Sequence, residues 1–411
     1  MDRRVVITGV GAITPIGCNV KTMWNNMVNG VCGIKTITAF DTTDLPVKVG
    51  GQINDFKPAE HGIKPGDARK NDPFALYAMA AANEAMADAG DLNIAPEKLG
   101  VYVGSGIGGM QTFVKEAVKL EKEGPRWTSP LFIPMMISNM ASGNIAIAHN
   151  AQGPCVPIVT ACSTGTHSIG EAFRAVKHGY ADAIIAGGAE AALTPLAICG
   201  FANSKALTRT EDPLQASIPF DKRRAGFVIA EGAGIVIVEE YERAVKRGAK
   251  IYAEIVGYGN TDDANHYTAP RPDGSTQSRA IKEALDGGKY TSDDSLYINA
   301  HGTSTHLNDS SETLAYKLAL GEENARKAMI SSTKSMTGHM LGATGAVEII
   351  AAALALGNNI VPPTIGYKEK DPECDLDYTP NEARKVELTM AISTTLGFGG
   401  HNACLAIRKV K

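Results

Sequence analysis

The sequence predicts an α/β protein of two similar halves, in which helices pack against mostly parallel sheets. Short apolar runs of strand length alternate along the chain with segments whose apolar residues recur at helical spacing. The same order of runs occurs twice. Glycine is abundant, with 43 among 411 residues, and the glycines cluster at the ends of apolar runs, as tight turns between layers require. Such alternation is typical of sheets covered by helices.

The first half, residues 1–247, opens with RRVVITGVGAITPIG (3–17), which predicts a strand leading into a glycine-rich turn. Residues 98–109 predict a second strand that ends in small residues, and CVPIVTA (155–161) predicts a short buried strand. The half closes with two strand-like runs that predict a hairpin-like pair, 181–192 and 226–240.

The second half, residues 248–411, repeats this order. It opens with a predicted strand and glycine-rich turn at 249–263, and a further strand is predicted within 295–309. Two closing runs again predict a hairpin-like pair, 390–400 and 401–410. The predicted helices lie between these runs, two in each half: 74–89, 163–177, 276–286 and 343–356.

Composition and charge exclude several classes of protein. The net charge of −4 is no signature of nucleic-acid binding. Seven cysteines, with no C-x-x-C pair, argue against a disulfide framework and against a cysteine-based zinc site. The N-terminus lacks the apolar core of a signal peptide, and the chain has no run of about 18 strongly apolar residues. We therefore expect a cytoplasmic protein that binds neither nucleic acid nor membrane and holds no metal.

Cys162 lies where the predicted strand 155–161 becomes the helix 163–177. Ser163 or Thr164 is placed to cap that helix. A helix N-terminus carries partial positive charge and unpaired N–H groups, which favour a thiolate and an adjacent oxyanion. The position indicates a nucleophile, and the alternative is a buried structural cysteine.

Four further residues of chemical interest lie at predicted strand ends or turns in the second half. His301 comes directly after an apolar strand, Lys334 precedes His339 by five residues, and Phe398 is the one large side chain in a glycine-rich turn. Each alone is also typical of ordinary turns and surfaces. Together with Cys162 they supply what thiol chemistry needs: a nucleophile, acid–base neighbours and an oxyanion site.

Four motifs resemble those of the β-ketoacyl-acyl-carrier-protein synthases, the condensing enzymes of fatty acid synthesis: GPCVPIVTACSTGTHSIGEA, INAHGTST, KSMTGHMLGATGAVE and GFGGHNA. The resemblance covers nearly the whole chain, and its length and stand-alone form are similar to the elongating members. It implies a thiolase-like fold, in which two similar α/β halves form a five-layered α-β-α-β-α core, and a homodimer.

The resemblance also implies a reaction. Cys162 would carry an acyl group as a thioester, and malonyl-acyl carrier protein would then lose CO₂ to give an enolate that attacks this thioester. His301 and His339, both neutral, would donate hydrogen bonds to the enolate oxygen, and Lys334 would bias His339. The N–H groups of Cys162 and Phe398 would hold the oxyanion. The product is 3-oxoacyl-acyl carrier protein, and no cofactor is needed.

Further residues match family positions. Phe398 and Gly399 match a mobile gate, Thr303 and Thr305 match the pantetheine contacts, and Glu348 and Asp309 match supporting acids. The acyl tunnel would be lined by four apolar residues, two of them from a partner subunit: Ile107, Phe201 and the partner-derived positions Phe132 and Ile133. An acidic carrier protein would dock on basic residues: Arg69, Lys70, Arg126, Lys205 and Arg209.

Two alternative functions use the same fold. A stand-alone ketosynthase of polyketide type would run the same chemistry on another substrate. A non-catalytic chain-length partner subunit would lack the cysteine, and Cys162 is present. A chain-initiating synthase or a thiolase fits less well, because their catalytic residues differ in identity or order.

Overall fold

A computed structural model describes residues 3–410 of the chain. The central feature is a nine-stranded sheet with the order β4-β5-β6-β1-β7-β13-β12-β8-β9. Two further pairs of short strands, β2 with β3 and β10 with β11, lie outside it. The strands are β1 Val5–Ile13, β2 Lys35–Thr36, β3 Val49–Gly50, β4 Leu99–Gly104, β5 Ala183–Glu190, β6 Gly232–Glu240, β7 Ala253–Asp262, β8 Leu296–Asn299, β9 Met329–Ser331, β10 Ile360–Val361, β11 Arg384–Lys385, β12 Met390–Gly397 and β13 His401–Arg408.

The helices lie between the strands in sequence and cover them in space. They are α1 Val20–Val28, α2 Pro65–Ala68, α3 Pro73–Ala89, α4 Met110–Glu123, α5 Phe132–Met136, α6 Met140–His149, α7 Thr164–Lys177, α8 Pro195–Asn203, α9 Pro213–Ala216, α10 Tyr241–Lys246, α11 Ser275–Gly287, α12 His306–Leu320, α13 Glu322–Lys327, α14 Lys334–Thr337 and α15 Thr344–Asn358. All four helices predicted from apolar spacing are confirmed, as α3, α7, α11 and α15. Their ends differ from the prediction by one or two residues.

The sheet is arranged symmetrically about the contact between β1 and β7. Moving outward, β6, β5 and β4 on one side match β13, β12 and β8 on the other. The expectation of mostly parallel pairing is wrong, because only β4–β5, β12–β8 and β8–β9 pair in parallel. The strands β6 and β13 run antiparallel to both of their neighbours. β6 lies between β1 and the parallel pair β5–β4, and β13 lies between β7 and the parallel pair β12–β8.

Helices occupy three layers around this sheet. α7 and α15 contact each other and contact strands of both halves, so they form the middle layer. α3 and α6 cover the outer face of the first half, and α11 with α12 covers that of the second. With the two halves of the sheet, the three helix layers make five layers, so the expected α/β class and five-layered core are confirmed. The stretch Leu341–Asn358, mostly α15, has the length and hydropathy of a membrane span, but 83% of it is buried, as in a core helix.

A turn follows β1 at 14–17, as predicted, and contains Gly17. The other glycines of the two opening runs do not form turns but lie inside the strands: Gly9 and Gly11 in β1, and Gly257 and Gly259 in β7. A Cβ on Gly11 would lie 1.9 Å from the Ala81 carbonyl oxygen of α3, and one on Gly259 would lie 1.8 Å from that of Ala280 in α11. In each half, therefore, a helix backbone packs directly on a strand backbone. Glycine is required there by close approach and not by turn geometry.

The predicted buried strand 155–161 is also wrong. Residues 154–156 run beside β4 and exchange two hydrogen bonds with Val101, at 2.9 and 3.0 Å, but form only an isolated bridge. Val156 and Val159 are 44% and 50% exposed. The segment is an uncovered sheet edge. Its counterpart β9 is covered, because Ile330 donates a hydrogen bond to the Asp377 carbonyl oxygen at 2.9 Å.

Candidate active site

Cys162 lies in the 3-10 turn Ala161–Ser163, which leads directly into α7. Ala161 has a φ of +50°, a left-handed conformation that is costly for a residue with a side chain. Neither predicted cap forms, because the Ser163 hydroxyl donates to the His401 carbonyl oxygen at 2.9 Å and the Thr164 hydroxyl accepts from the Thr160 N–H. The strained turn and these bonds fix the direction of the Cys162 side chain.

The thiol is buried, with Cys162 only 9% exposed. Burial raises its pKa to about 12, although the positive charge of Lys334 and the N–H groups of Phe398 and Cys162 itself act in the opposite direction. The expectation that the helix terminus favours the thiolate is therefore not met in this closed site, because desolvation outweighs it. The two N–H groups that face the sulfur are those expected to hold an oxyanion.

His301 and His339 lie together beside Cys162 in a cavity of about 200 Å³. Their rings are 5.4 Å apart, centroid to centroid, and nearly perpendicular at 88°. Burial, aided by the charge of Lys334, holds the pKa of both imidazoles well below the usual value. Both are therefore neutral at pH 7, and each can donate one N–H. The hydroxyl oxygen of Thr344 lies 3.1 Å from Nδ1 of His339.

Lys334 is fully buried, and its ammonium donates to the His301 carbonyl oxygen and to Oε1 of Glu348 at 2.6 Å. Burial raises the pKa of Glu348 to about 8, and the adjacent Lys334 opposes that shift. The lysine thus contacts the backbone of His301, whereas the sequence had associated it with His339. Its charge acts on both histidines.

Glu312, on α12, is a site residue that sequence reasoning missed. Its carboxylate accepts from the N–H of His301 at 2.7 Å and of Gly302 at 2.8 Å. It also accepts from the hydroxyls of Thr394 at 2.8 Å and Tyr316 at 2.6 Å. Glu312 therefore fixes the turn that carries His301. Only the helical periodicity of α12 could have indicated that it faces inward.

The β12–β13 turn closes one side of the cavity. Phe398 lines it, and its ring lies 6.2 Å from that of Phe201, which lines it too. Gly399 and Gly400 have φ values of +95° and +89°, so the turn uses conformations that side chains resist. Gly399 donates to the Tyr267 carbonyl oxygen at 2.9 Å, which ties this turn to a neighbouring loop.

Thr303 and Thr305 also line the cavity, and their hydroxyls lie 3.0 Å apart. Asp309 lies outside it: its carboxylate accepts from the Phe220 N–H at 2.8 Å and lies 3.5 Å from buried Arg224. Burial raises the pKa of Asp309 to about 6, with Arg224 opposing. Its place is behind the site, in the packing under α12.

Three of the residues expected to line the acyl tunnel do not line this cavity within the one chain. Ile107 and Ile133 are 41% and 53% exposed, and Phe132 is half-buried beside Phe113, with ring centroids 6.5 Å apart. All five basic residues predicted for carrier docking are exposed. Of these, Lys205 lies on the rim of the cavity, and with Arg209 it lines a neighbouring cleft of about 540 Å³.

The cavity therefore brings together a thiol, two neutral imidazoles and two backbone donors in a mostly apolar space. This arrangement is suited to acyl transfer and to stabilising an enolate. Within residues 3–410, no group of three or more histidine, cysteine or carboxylate side chains is placed to hold a metal ion.

Comparison with known proteins gives the same picture. Two family models match, the N-terminal domain of beta-ketoacyl synthase over residues 2–244 and its C-terminal domain over residues 252–368. The 3-oxoacyl-[acyl-carrier-protein] synthase 2 of Staphylococcus aureus (strain COL) is 50% identical over 410 residues, covering 99% of each chain. The enzyme of that name from Synechocystis sp. is 48% identical over 412 residues, covering 99% of this chain and 98% of its own.

A solved structure has the same fold over its full length. It is a type II polyketide ketosynthase in complex with its acyl-carrier protein and bound to a hexaketide. It superposes with a TM-score of 0.92 at 34% identity, covering 100% of both chains. Sequence motifs, site geometry and these likenesses agree, and the chain belongs to the beta-ketoacyl synthase family.

Proposed function

We propose that this protein condenses an acyl group with malonyl-acyl carrier protein to give 3-oxoacyl-acyl carrier protein and CO₂, the elongation step of fatty acid synthesis. The observation that carries this proposal is the joint position of Cys162, His301 and His339 in one cavity. The relatives that are about half identical over the full length are named for this activity. The polyketide ketosynthase is less similar, at 34% identity.

In the first step Cys162 attacks the thioester of an acyl carrier protein. The new bond joins Sγ to the acyl carbonyl carbon, the old carbon–sulfur bond breaks, and the thiol proton of Cys162 ends on the released carrier thiol. The oxyanion of the tetrahedral intermediate accepts hydrogen bonds from the N–H groups of Cys162 and Phe398, which face Sγ.

In the second step the malonyl group loses CO₂. Its carbon–carbon bond breaks, and the electron pair passes to the thioester as an enolate, whose oxygen accepts from His301 and His339. The enolate carbon then attacks the acyl carbonyl, the bond from that carbon to Sγ breaks, and Cys162 leaves as a thiolate, which takes a proton from water. Neutral imidazoles suit this role, because they donate without giving up a full proton.

The substrates are carried by acyl carrier protein, the partner in the solved relative. Thr303 and Thr305 line the cavity where the pantetheine arm would enter. Lys205, on the rim, and Arg209 beside it supply positive charge for an acidic carrier, with Arg69, Lys70 and Arg126 as more distant candidates. The substrates bring their own 4'-phosphopantetheine arm on the carrier protein, and no further cofactor is required.

The working form is a homodimer in the cytoplasm. The exposed apolar residues that support this lie on α5 and on the uncovered edge 155–159. A second copy packed there would cover that edge and bring Phe132 and Ile133 toward the other copy's tunnel. The unpaired thiols are consistent with a reducing compartment.

The test is acyl transfer followed by condensation with purified carrier proteins. Intact-mass analysis should show one acyl adduct on Cys162, and malonyl-acyl carrier protein should then yield CO₂ and the 3-oxoacyl product. An adduct on another cysteine, or decarboxylation that does not depend on the cavity histidines, would refute the proposal. Products formed only from aromatic polyketide starters would favour the polyketide alternative.

A further inference from the structure

Glu190, the last residue of β5, is buried and has no role in the chemistry proposed above. Its carboxylate accepts four hydrogen bonds. Oε1 accepts from the Ser105 hydroxyl at 2.8 Å and from the Ile107 N–H at 3.3 Å. Oε2 accepts from the N–H groups of Gly106 at 2.9 Å and Gly342 at 3.1 Å. Among residues 3–410, no lysine or arginine forms an ion pair with it.

These donors belong to two segments that are far apart in sequence. Residues 105–107 follow β4, and Gly342 lies in the 3-10 turn Leu341–Ala343, three residues after His339. The two backbones nearly touch, since a Cβ on Gly342 would lie 2.5 Å from the Gly106 nitrogen. Two N–H groups therefore point at one oxygen. Without that acceptor they would face each other unpaired in the interior, which is costly.

Cys162 lies next to the same junction. A Cβ on Gly106 would lie 3.2 Å from the carbonyl oxygen of Ala161, the residue before Cys162. The negative charge of Glu190 also contributes, after burial, to the raised pKa of the Cys162 thiol. The other charged group that acts on this thiol is Lys334, with the neutral His301 and His339 in the same cavity.

We infer that Glu190 is a positioning residue, which joins the loop that carries Ile107 to the turn that follows His339 and so fixes both beside Cys162. This inference rests on the proposed function, because its catalytic consequence is the alignment of the thiol with the acyl tunnel and with the enolate donors. Loosening the junction should impair transfer of long acyl chains most, since they depend on the tunnel wall at Ile107.

The experiment compares Glu190→Gln, Glu190→Ala and the matched control Glu231→Gln. Glutamine keeps the size and an oxygen for Gly106 and Gly342, but it removes the charge and leaves the Ile107 N–H without an acceptor. Alanine removes every acceptor. Like Glu190, Glu231 is a buried carboxylate whose pKa burial raises to about 7. It accepts from Gln111 at 2.9 Å and from the Ile53 N–H at 3.4 Å, and neither donor belongs to residues 105–107 or to the turn at Gly342.

Two readouts separate positioning from a general loss of structure. The first is the pH profile of Cys162 alkylation by iodoacetamide, which should move to lower pH by about half a unit in Glu190→Gln, because a nearby negative charge is gone. The second is the acylation rate against chain length. It should fall by about tenfold for long chains and less for short ones in Glu190→Gln, and further in Glu190→Ala.

The inference would be overturned if folded Glu190→Gln had the alkylation profile and acylation rates of the wild type. It would also be overturned if Glu231→Gln changed the alkylation profile and acylation rates as much as Glu190→Gln does. Thermal unfolding establishes that each variant is folded, and Glu190→Gln keeps the test decisive if Glu190→Ala does not fold. Failure of the wild-type protein to acylate Cys162 would refute the proposed function instead. The alkylation profile would still test the junction in that case.

Discussion

The turn before α7 and the turn before α15 have nearly the same backbone but carry different chemistry. Each is a 3-10 turn that opens with a positive φ, +50° at Ala161 and +45° at Leu341, and each passes into a helix at a Thr-Gly pair. The first turn carries Cys162 where the second carries Gly342. The first therefore presents a thiol to the cavity, and the second leaves its N–H free to bind Glu190.

The difference shows that the duplicated backbone is a scaffold, on which single side chains decide what each half does. The strained turn serves to aim Cys162 in one half, and in the other it allows two backbones to approach closely. Both halves contribute to one cavity, because α7 and α15 lie side by side in the middle layer.

Replacing Cys162 by glycine gives the first turn the residue of the second and should have the largest effect. The nucleophile is lost while the backbone is kept, so acyl transfer should fall by at least about 10⁴-fold. Intact-mass detection of the acyl adduct measures it, with Cys199→Ser as the matched thiol control. An adduct that persists in Cys162→Gly would show that the nucleophile is elsewhere.

Removal of the donors near the second turn should affect the other half-reaction. His339→Ala and His301→Ala should each lower malonyl decarboxylation by about 10²–10³-fold, the usual cost of losing one oxyanion donor. Acylation of Cys162 should change much less, because its oxyanion accepts from backbone N–H groups. If His339→Ala decarboxylates at the wild-type rate, the assignment of the enolate donors is wrong.

Placing alanine at the matching position of each turn should change the free energy of unfolding by different amounts. Gly342→Ala places a Cβ 2.5 Å from the Gly106 nitrogen and 3.0 Å from Oε2 of Glu190, so it should cost about 2–3 kcal/mol of unfolding free energy. Cys162→Ala should cost about 1 kcal/mol. Urea denaturation measures both. Equal costs would mean that the second turn is not tightly packed.

The smallest expected effect concerns pH. Burial, and after it the charge of Lys334, holds the pKa of His301 and His339 well below 6.5, so both stay neutral as the pH falls through 6.5. In Lys334→Met the charge is lost but burial remains, so both pKa values should rise only part of the way toward 6.5, and decarboxylation relative to wild type should drop about threefold between pH 8 and pH 5.5. Lys282→Met, an exposed change on α11, is the control. A constant ratio across this range would contradict the electrostatic role.

Much of this site was accessible from the sequence because its motifs are local. His301 and Phe398 follow strands, and Cys162 and His339 precede helices, that apolar spacing reveals, and the structure brings all four to one cavity. Glu190 and Glu312 were not accessible, because each serves the site through backbone N–H groups of segments distant in the chain. The helical periodicity of α12 could have shown that Glu312 faces inward, but no local pattern shows which N–H groups either carboxylate would meet.

The fold errors have a similar physical origin. Gly11 and Gly259 resemble turn glycines in sequence, but the carbonyl oxygens of Ala81 and Ala280 occupy the space where a side chain would lie. The run 155–161 has the composition of a buried strand, yet it lies at a sheet edge with nothing in this chain to cover it. Apolar composition indicates that a segment will be buried. It does not indicate whether the same chain or a second one covers it.

The open edge at residues 155–159 links the stability of this protein to its abundance. An unpaired strand edge with exposed valines invites pairing with any other extended chain. If the edge is covered only by a second copy, dilution exposes it, and the melting temperature should rise with protein concentration. A cell that makes too little of this chain would therefore hold single protomers that are prone to aggregate through this edge.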